Sequence, residues 1–147
     1  MKAKRKSPSR PSSKARATHQ TKRVEKAVAK AQARIPTAFH ITVVRFTAEE
    51  KLEAGCQKKL MVIERTVRGD EDSWHFVLSF DPVVSERVSF RDLVKVAGHE
   101  VLHALLWPIA DAVQRRGITE KQAEELARAE ENIVYTLQRA LFGEIRA

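Results

Sequence analysis

Polar and apolar positions alternate along 73-SWHFVLSFD-81, with Trp74, Phe76, Leu78 and Phe80 on one face and His75, Val77 and Ser79 on the other. That period of two predicts a strand with one buried face. Two further strands are predicted at 40-HITVVRF-46, which is β-branched and compact, and at 59-KLMVIERTVR-68. The turn formers Gly69, Asp70, Glu71 and Asp72 join the second and third strands as a hairpin, which Pro82 closes. Between the first two strands, Thr47 with Glu50 three residues later predicts a short capped helix that Gly55 stops.

The pattern then lengthens to a helical period. Ser89, with Asp92 at the third helical position, predicts a helix from about 90 to 107, limited by Trp107-Pro108. After a connector, 109 to 118, that is itself partly helical in character, Thr119 opens a last helix over about 120 to 142, and Gly143 ends it. Ahead of the strands, residues 1 to 20 are Pro-, Ser- and Lys/Arg-rich with almost nothing to bury, and are expected to be disordered. Residues 21 to 34 form a frayed Ala/Lys helix at most, ended by Pro36. The order predicts an α+β domain over residues 35 to 147, a small, mostly antiparallel sheet on two helices, preceded by a basic tail over residues 1 to 34.

Charge sharpens that division. Residues 1 to 34 hold twelve Lys or Arg against one acid, Glu25, whereas residues 35 to 147 hold 15 basic and 18 acidic side chains. The excess charge of the chain therefore sits in its first 34 residues, where it suits an electrostatic contact with nucleic acid or merely solubilises. No run approaches a membrane span, and the basic start is not followed by the apolar segment of a secretory signal. The single cysteine, Cys56, excludes an internal disulfide, and a reducing cytoplasm is the default expectation.

The candidate chemistry lies on the first long helix, in 96-VAGHEVLHALLWP-108. Its flanks are apolar on nearly all sides, which predicts burial, and buried imidazoles or carboxylates without partners cost several kcal/mol. His99 and His103, four residues apart, share one helix face and can reach one Zn²⁺, while Glu100, about 100° round, suits a general base on a metal-activated water. A metal-free His–Glu–His network is the simpler alternative. A third ligand is required. The H-E-x-x-H-x-x-G-x-x-H pattern is excluded, because its last two positions are Leu106 and Ile109. On the last helix Ala123, Leu126, Ile133, Val134, Leu137 and Leu141 define an apolar stripe with Glu130 at its centre, which makes Glu130 the favoured ligand. Glu131 on the flank and Asp111 soon after the motif remain open.

The segments 97-AGHEVLHALL-106 and 129-AEENIVYTLQRAL-141 together resemble the gluzincin metallopeptidases. The likeness is to their smallest members, the compact HExxH proteins of phages and prophages with an ImmA/IrrE-type layout. It covers about residues 38 to 142 and leaves the basic tail unmatched. It implies a zincin fold in a bacterial or phage-infected cell, with His99, His103 and Glu130 as zinc ligands, Glu100 as general base, and an edge strand aligning a protein or peptide substrate. Larger gluzincins carry a Tyr or His that donates to the oxyanion. The only tyrosine, Tyr135, is expected to face away from the stripe, and His40 and His75 cannot be placed over the metal. The competing expectation is a nucleic-acid-associated regulator whose zincin core is structural or sensory.

Overall fold

The computed structural model describes residues 12–35, 39–46, 60–66 and 75–144. The elements are α1 (Ser13–Gln32), β1 (His40–Arg45), β2 (Met61–Thr66), β3 (His75–Phe80), α2 (Pro82–Arg87), α3 (Phe90–Gln114) and α4 (Glu120–Phe142). This is the expected α+β class, with a mixed three-stranded sheet and four helices among the described residues. The helix expected at 47 to 56, Cys56, the turn at 69 to 72 and Trp74 lie outside them.

The largest departure from expectation is at the N-terminus. Residues 13 to 20, expected to be disordered, are the first turns of a 20-residue helix capped by Ser12, whose side chain accepts from the Ala15 N–H. Gln20, Val24, Ala27, Val28 and Ala31 recur at helical spacing and are buried, and Ile35 continues the stripe. A low mean hydropathy hides it, because two of the five are alanines and the lysines fill the opposite face. Polar side chains fasten the helix as well. Arg23 donates to the carbonyls of Ser85 (2.8 Å) and Val88 (2.6 Å), and Arg34 to that of Leu141 (3.0 Å). Arg16 pairs with Glu86. The packed unit therefore begins within the segment read as a tail, and several of its cations are structural.

The sheet order is β1-β3-β2. The β2–β3 hairpin forms as expected, antiparallel with Met61 opposite Phe80. The sheet is nonetheless mixed rather than mostly antiparallel, because β1 pairs with β3 in parallel, His40 opposite His75. β1 and β2 run antiparallel with a gap between them that β3 fills, and the strand that fills such a gap must run parallel to one of them. Phe76, Leu78 and Phe80 are fully buried on the face toward the helices, as the alternation predicts. β3 is thus the central strand, and β2 is an edge.

Asp81 accepts from the N–H groups of Val83 (2.9 Å) and Val84 (3.4 Å), and Pro82 follows at the first helical position, so the residue read as closing the hairpin opens α2 instead. Ser89 caps α3 as expected, accepting from the Asp92 N–H at 3.1 Å. The expected stop at Trp107-Pro108 does not occur, and α3 runs on to Gln114. Proline removes only one helical bond, to the Ala104 carbonyl, and Pro108 sits on the solvent side, where its ring meets no packed element. α4 follows the expected bounds, with a reciprocal cap between Thr119 and Gln122 and Gly143 at φ +80°. Its inner face carries Ala123, Leu126, Glu130, Val134, Leu137, Gln138 and Phe142, whereas Ile133 and Leu141, expected in the stripe, are exposed.

Gly98 lets α3 and α4 meet. A Cβ placed there would lie 2.5 Å from Cε2 of Phe142, so the close approach is by an aromatic ring of α4. None of the helices among the described residues is long and apolar enough to cross a membrane.

Candidate metal centre

α3 carries both histidines toward α4. One helical turn apart, their rings meet at 4.9 Å between centroids, and the two Nε2 atoms stand 3.2 Å apart. Both side chains are largely buried, at 13% and 19% exposure, while Glu131 beside them is half exposed. A Glu131 oxygen lies 3.7 Å from Nε2 of His99, and its other oxygen 3.4 Å from Nε2 of His103. Among the described residues this is the group of three that could hold a metal ion.

The spacing can be tested against the ion. Ligand atoms at about 2.0 to 2.1 Å from a tetrahedral Zn²⁺ lie about 3.3 Å from one another. The two Nε2 atoms, 3.2 Å apart, and Nε2 of His103 with one Glu131 oxygen, 3.4 Å apart, match that length, while the 3.7 Å approach to His99 is made by the other Glu131 oxygen; one ligand atom from each residue lies within 4.8 Å of the others. Two imidazole nitrogens and one carboxylate would make a three-ligand set, the number that leaves a fourth position on a tetrahedral ion, and Glu131 is half exposed.

Glu130, the favoured third ligand, does not join this set. Its Oε1 lies 2.8 Å from Nδ1 of His103, the ring nitrogen facing away from His99. It therefore accepts the Nδ1–H proton and leaves the Nε2 lone pair free, the position of a carboxylate that orients a metal-ligating histidine. The apolar stripe of α4 does hold Glu130 at 23% side-chain exposure, but the contact seen there is with Nδ1 of His103, outside the three-residue group. Burial suits the residue that holds His103 from behind, whereas a ligand at an open metal position belongs at the rim.

Burial, and then the nearby His103, hold the His99 imidazole below the ordinary histidine range, with Glu131 acting in the opposite sense. The consequence is a neutral ring, the form that ligates. Nδ1 of His99 is buried without a hydrogen-bond partner.

Glu100 lies outside the three-residue group, as its azimuth predicts. Its Oε2 accepts the N–H of Ile63 at 3.1 Å. That N–H projects from the edge of β2 not paired with β3, so the edge strand runs beside the HExxH helix. β3 has both edges occupied, by β1 and β2, so no extended substrate can pair with it.

Tyr135 was expected to face away and does not. Its ring packs against His99, 4.8 Å between centroids at 58°, with half its surface exposed. The signal in the sequence is its place four residues after Glu131, one turn further on the same face. The remaining candidates are elsewhere. Asp111 binds Arg115 at 2.9 Å and lies 3.9 Å from Arg65. His40 and His75 pair with each other at 4.7 Å, across the register that aligns β1 with β3.

No protein-family model, curated protein or solved structure matches this chain.

Proposed function

We propose that the chain is a zinc-dependent metallopeptidase of the zincin kind, with His99, His103 and Glu131 as its ligands. The observation that supports this reading is the juxtaposition of three side chains: the two Nε2 atoms, on the helix that also carries Glu100, stand 3.2 Å apart, with one Glu131 oxygen 3.4 Å from that of His103 and the other 3.7 Å from that of His99. The chemistry a zinc ion supplies when bound is a water of pKa near 7 and polarisation of a carbonyl.

The chain's own residues would do the rest. Glu130 holds His103 in the tautomer that presents Nε2 to the metal. Glu100 would take a proton from the attacking water and pass it to the leaving amine, since it follows His99 on the same helix without belonging to the three-residue group. Among the described residues no strand pairs with the outer edge of β2, so an extended peptide could lie along that edge, next to the Glu100 carboxylate that meets the Ile63 N–H. The Tyr135 hydroxyl is the donor available to the oxyanion, the role for which the sequence had offered no placed residue.

The test compares metal content with cleavage of an unfolded protein substrate for the wild type and Glu100→Gln. One zinc per chain in both, with cleavage lost only in the variant, supports the proposal. Cleavage by the variant at the wild-type rate refutes the role of Glu100, and absence of metal from the wild type refutes the centre, leaving a hydrogen-bonded His99–His103–Glu130 network.

A further inference from the structure

The cations of α1 that are not used in packing form a row. Lys22, Lys26 and Lys30 are exposed and follow one another at four-residue intervals, about 6 Å apart along the helix axis. Each step turns about 40° round the helix, because four residues at 100° each overshoot one turn. The row starts opposite the buried stripe of Val24, Ala27 and Ala31 and swings toward the start of α3. There it meets a cavity of about 410 Å³ between α1, α3 and the end of α4, lined by Lys30, Arg34, Phe90, Arg91, Lys95 and Phe142, among others.

The charges divide into two groups. Arg34 and Lys95 are held by the chain, Arg34 on the Leu141 carbonyl and Lys95 on the Glu144 carbonyl and Asp92 (3.3 Å). Lys22, Lys26, Lys30 and Arg91 take part in no ion pair among the described residues. The Lys30 ammonium stands 5.9 Å from the ring centroid of Phe90, which is itself 37% exposed. Glu25 is the single acid of α1, and Asp92 is taken up by Ser89 and Lys95. A line of unpaired point charges on a rigid helix, ending at an exposed aromatic ring, fits a phosphodiester backbone with a base to stack. Residues 1 to 11, which lead into α1, add Lys2, Lys4, Arg5, Lys6 and Arg10 with no acid.

We infer that the folded face formed by Lys22, Lys26, Lys30 and Arg91, with Phe90 at its end, is a nucleic-acid contact surface. It reads no base edges, so its affinity is electrostatic and independent of sequence. It does not depend on the metal centre. Basic residues in the sequence suggested nucleic acid as a partner of a flexible tail. The structure moves the contact onto a folded surface shared by α1 and α3.

The test is fluorescence anisotropy of a labelled oligonucleotide, single-stranded and as a duplex, with the full chain over a series of salt concentrations. Wild type should bind with a steep salt dependence. The triple variant Lys22→Gln, Lys26→Gln, Lys30→Gln should bind more weakly and lower the magnitude of the log–log salt slope by about 2 to 3, at 0.7 to 0.9 per lost phosphate contact. The triple Lys→Arg variant should restore both, and Lys121→Gln with Arg128→Gln on α4 should change neither. The inference is overturned by a triple glutamine variant that binds like wild type while deletion of residues 1 to 11 abolishes binding. It is equally overturned by a chain that binds anionic phospholipid vesicles and no oligonucleotide.

Discussion

Replacing Gly98 by alanine tests the packing that brings the two halves of the metal centre together. On an exposed helix this change is stabilising by about 1 kcal/mol, because glycine is the poorer helix former. Here the new methyl carbon would lie 2.5, 2.7 and 2.8 Å from three atoms of the Phe142 ring. Those atoms belong to one rigid ring that is 8% exposed and covered by the Arg34 guanidinium at 5.5 Å, so relieving the contact displaces the whole ring from that packing. Overpacking of this kind costs about 1 to 3 kcal/mol. The clash outweighs the propensity gain in most of that range, and the net expectation is a loss of up to about 2 kcal/mol, or up to roughly 8 °C in Tm at about 2 to 4 °C per kcal/mol. Thermal unfolding followed by far-UV circular dichroism measures it. A double-mutant cycle with Phe142→Leu supplies the control, since the smaller side chain should make Gly98→Ala less costly. A Gly98→Ala protein with a Tm above wild type, with or without Phe142, would show that α3 and α4 do not approach closely here. Because Gly98 precedes His99 and Phe142 ends the helix that carries Glu131, metal affinity should fall with the stability.

Four further outcomes follow from the same contacts. Tyr135→Phe should keep full metal content and lose peptide cleavage by about 10-fold or more, read as kcat with zinc measured in the same sample. Arg23→Ala removes two charge-assisted bonds to the Ser85 and Val88 carbonyls and should cost about 2 to 3 kcal/mol in urea unfolding, whereas a disordered N-terminal segment would show no change. His99 is held below the ordinary histidine value of 6.5, chiefly by burial, so the unfolded chain binds a proton in a pH range where the folded chain does not. The metal-free protein should therefore lose stability as pH falls through 6.5 and level off below the folded value, and His99→Asn should flatten that profile. Glu130→Ala should weaken metal binding by about 10- to 100-fold without abolishing it, measured by competition with a chelating dye.

The elements that local chemistry decides were legible in the sequence. Ser89 and Thr119 mark helix starts, Gly143 marks a stop, and the alternation through Phe76, Leu78 and Phe80 marks a strand with one buried face. What escaped was decided by tertiary context. α1 looks like a charged tail because Ala27 and Ala31 contribute little hydropathy, although small residues are what close packing of that helix needs. Pro108 looks like a stop, but its cost depends on which side of the helix it faces, and it faces solvent. The parallel pairing of β1 with β3 depends on a strand inserted from further along the chain.

The candidate site divides in the same way. His99, Glu100 and His103 are tied to one another by helix geometry, so their relative placement follows from spacing alone. The proposed third ligand lies on another helix, and a rotation of about 100° separates Glu130 from Glu131. Apolar periodicity reports which of the two is more buried, and Glu130 is, at 23% exposure against 50%. It does not report which nitrogen of His103 each carboxylate meets, and that decides the roles.

Metal content of the wild type, Glu131→Ala and Glu130→Ala, after reconstitution with zinc and removal of the excess, tests the central claim most directly. One zinc per chain is expected in the wild type, with retention in Glu130→Ala at lower affinity and loss in Glu131→Ala. Retention by Glu131→Ala together with loss from Glu130→Ala would contradict it, as would a wild-type chain that holds no metal.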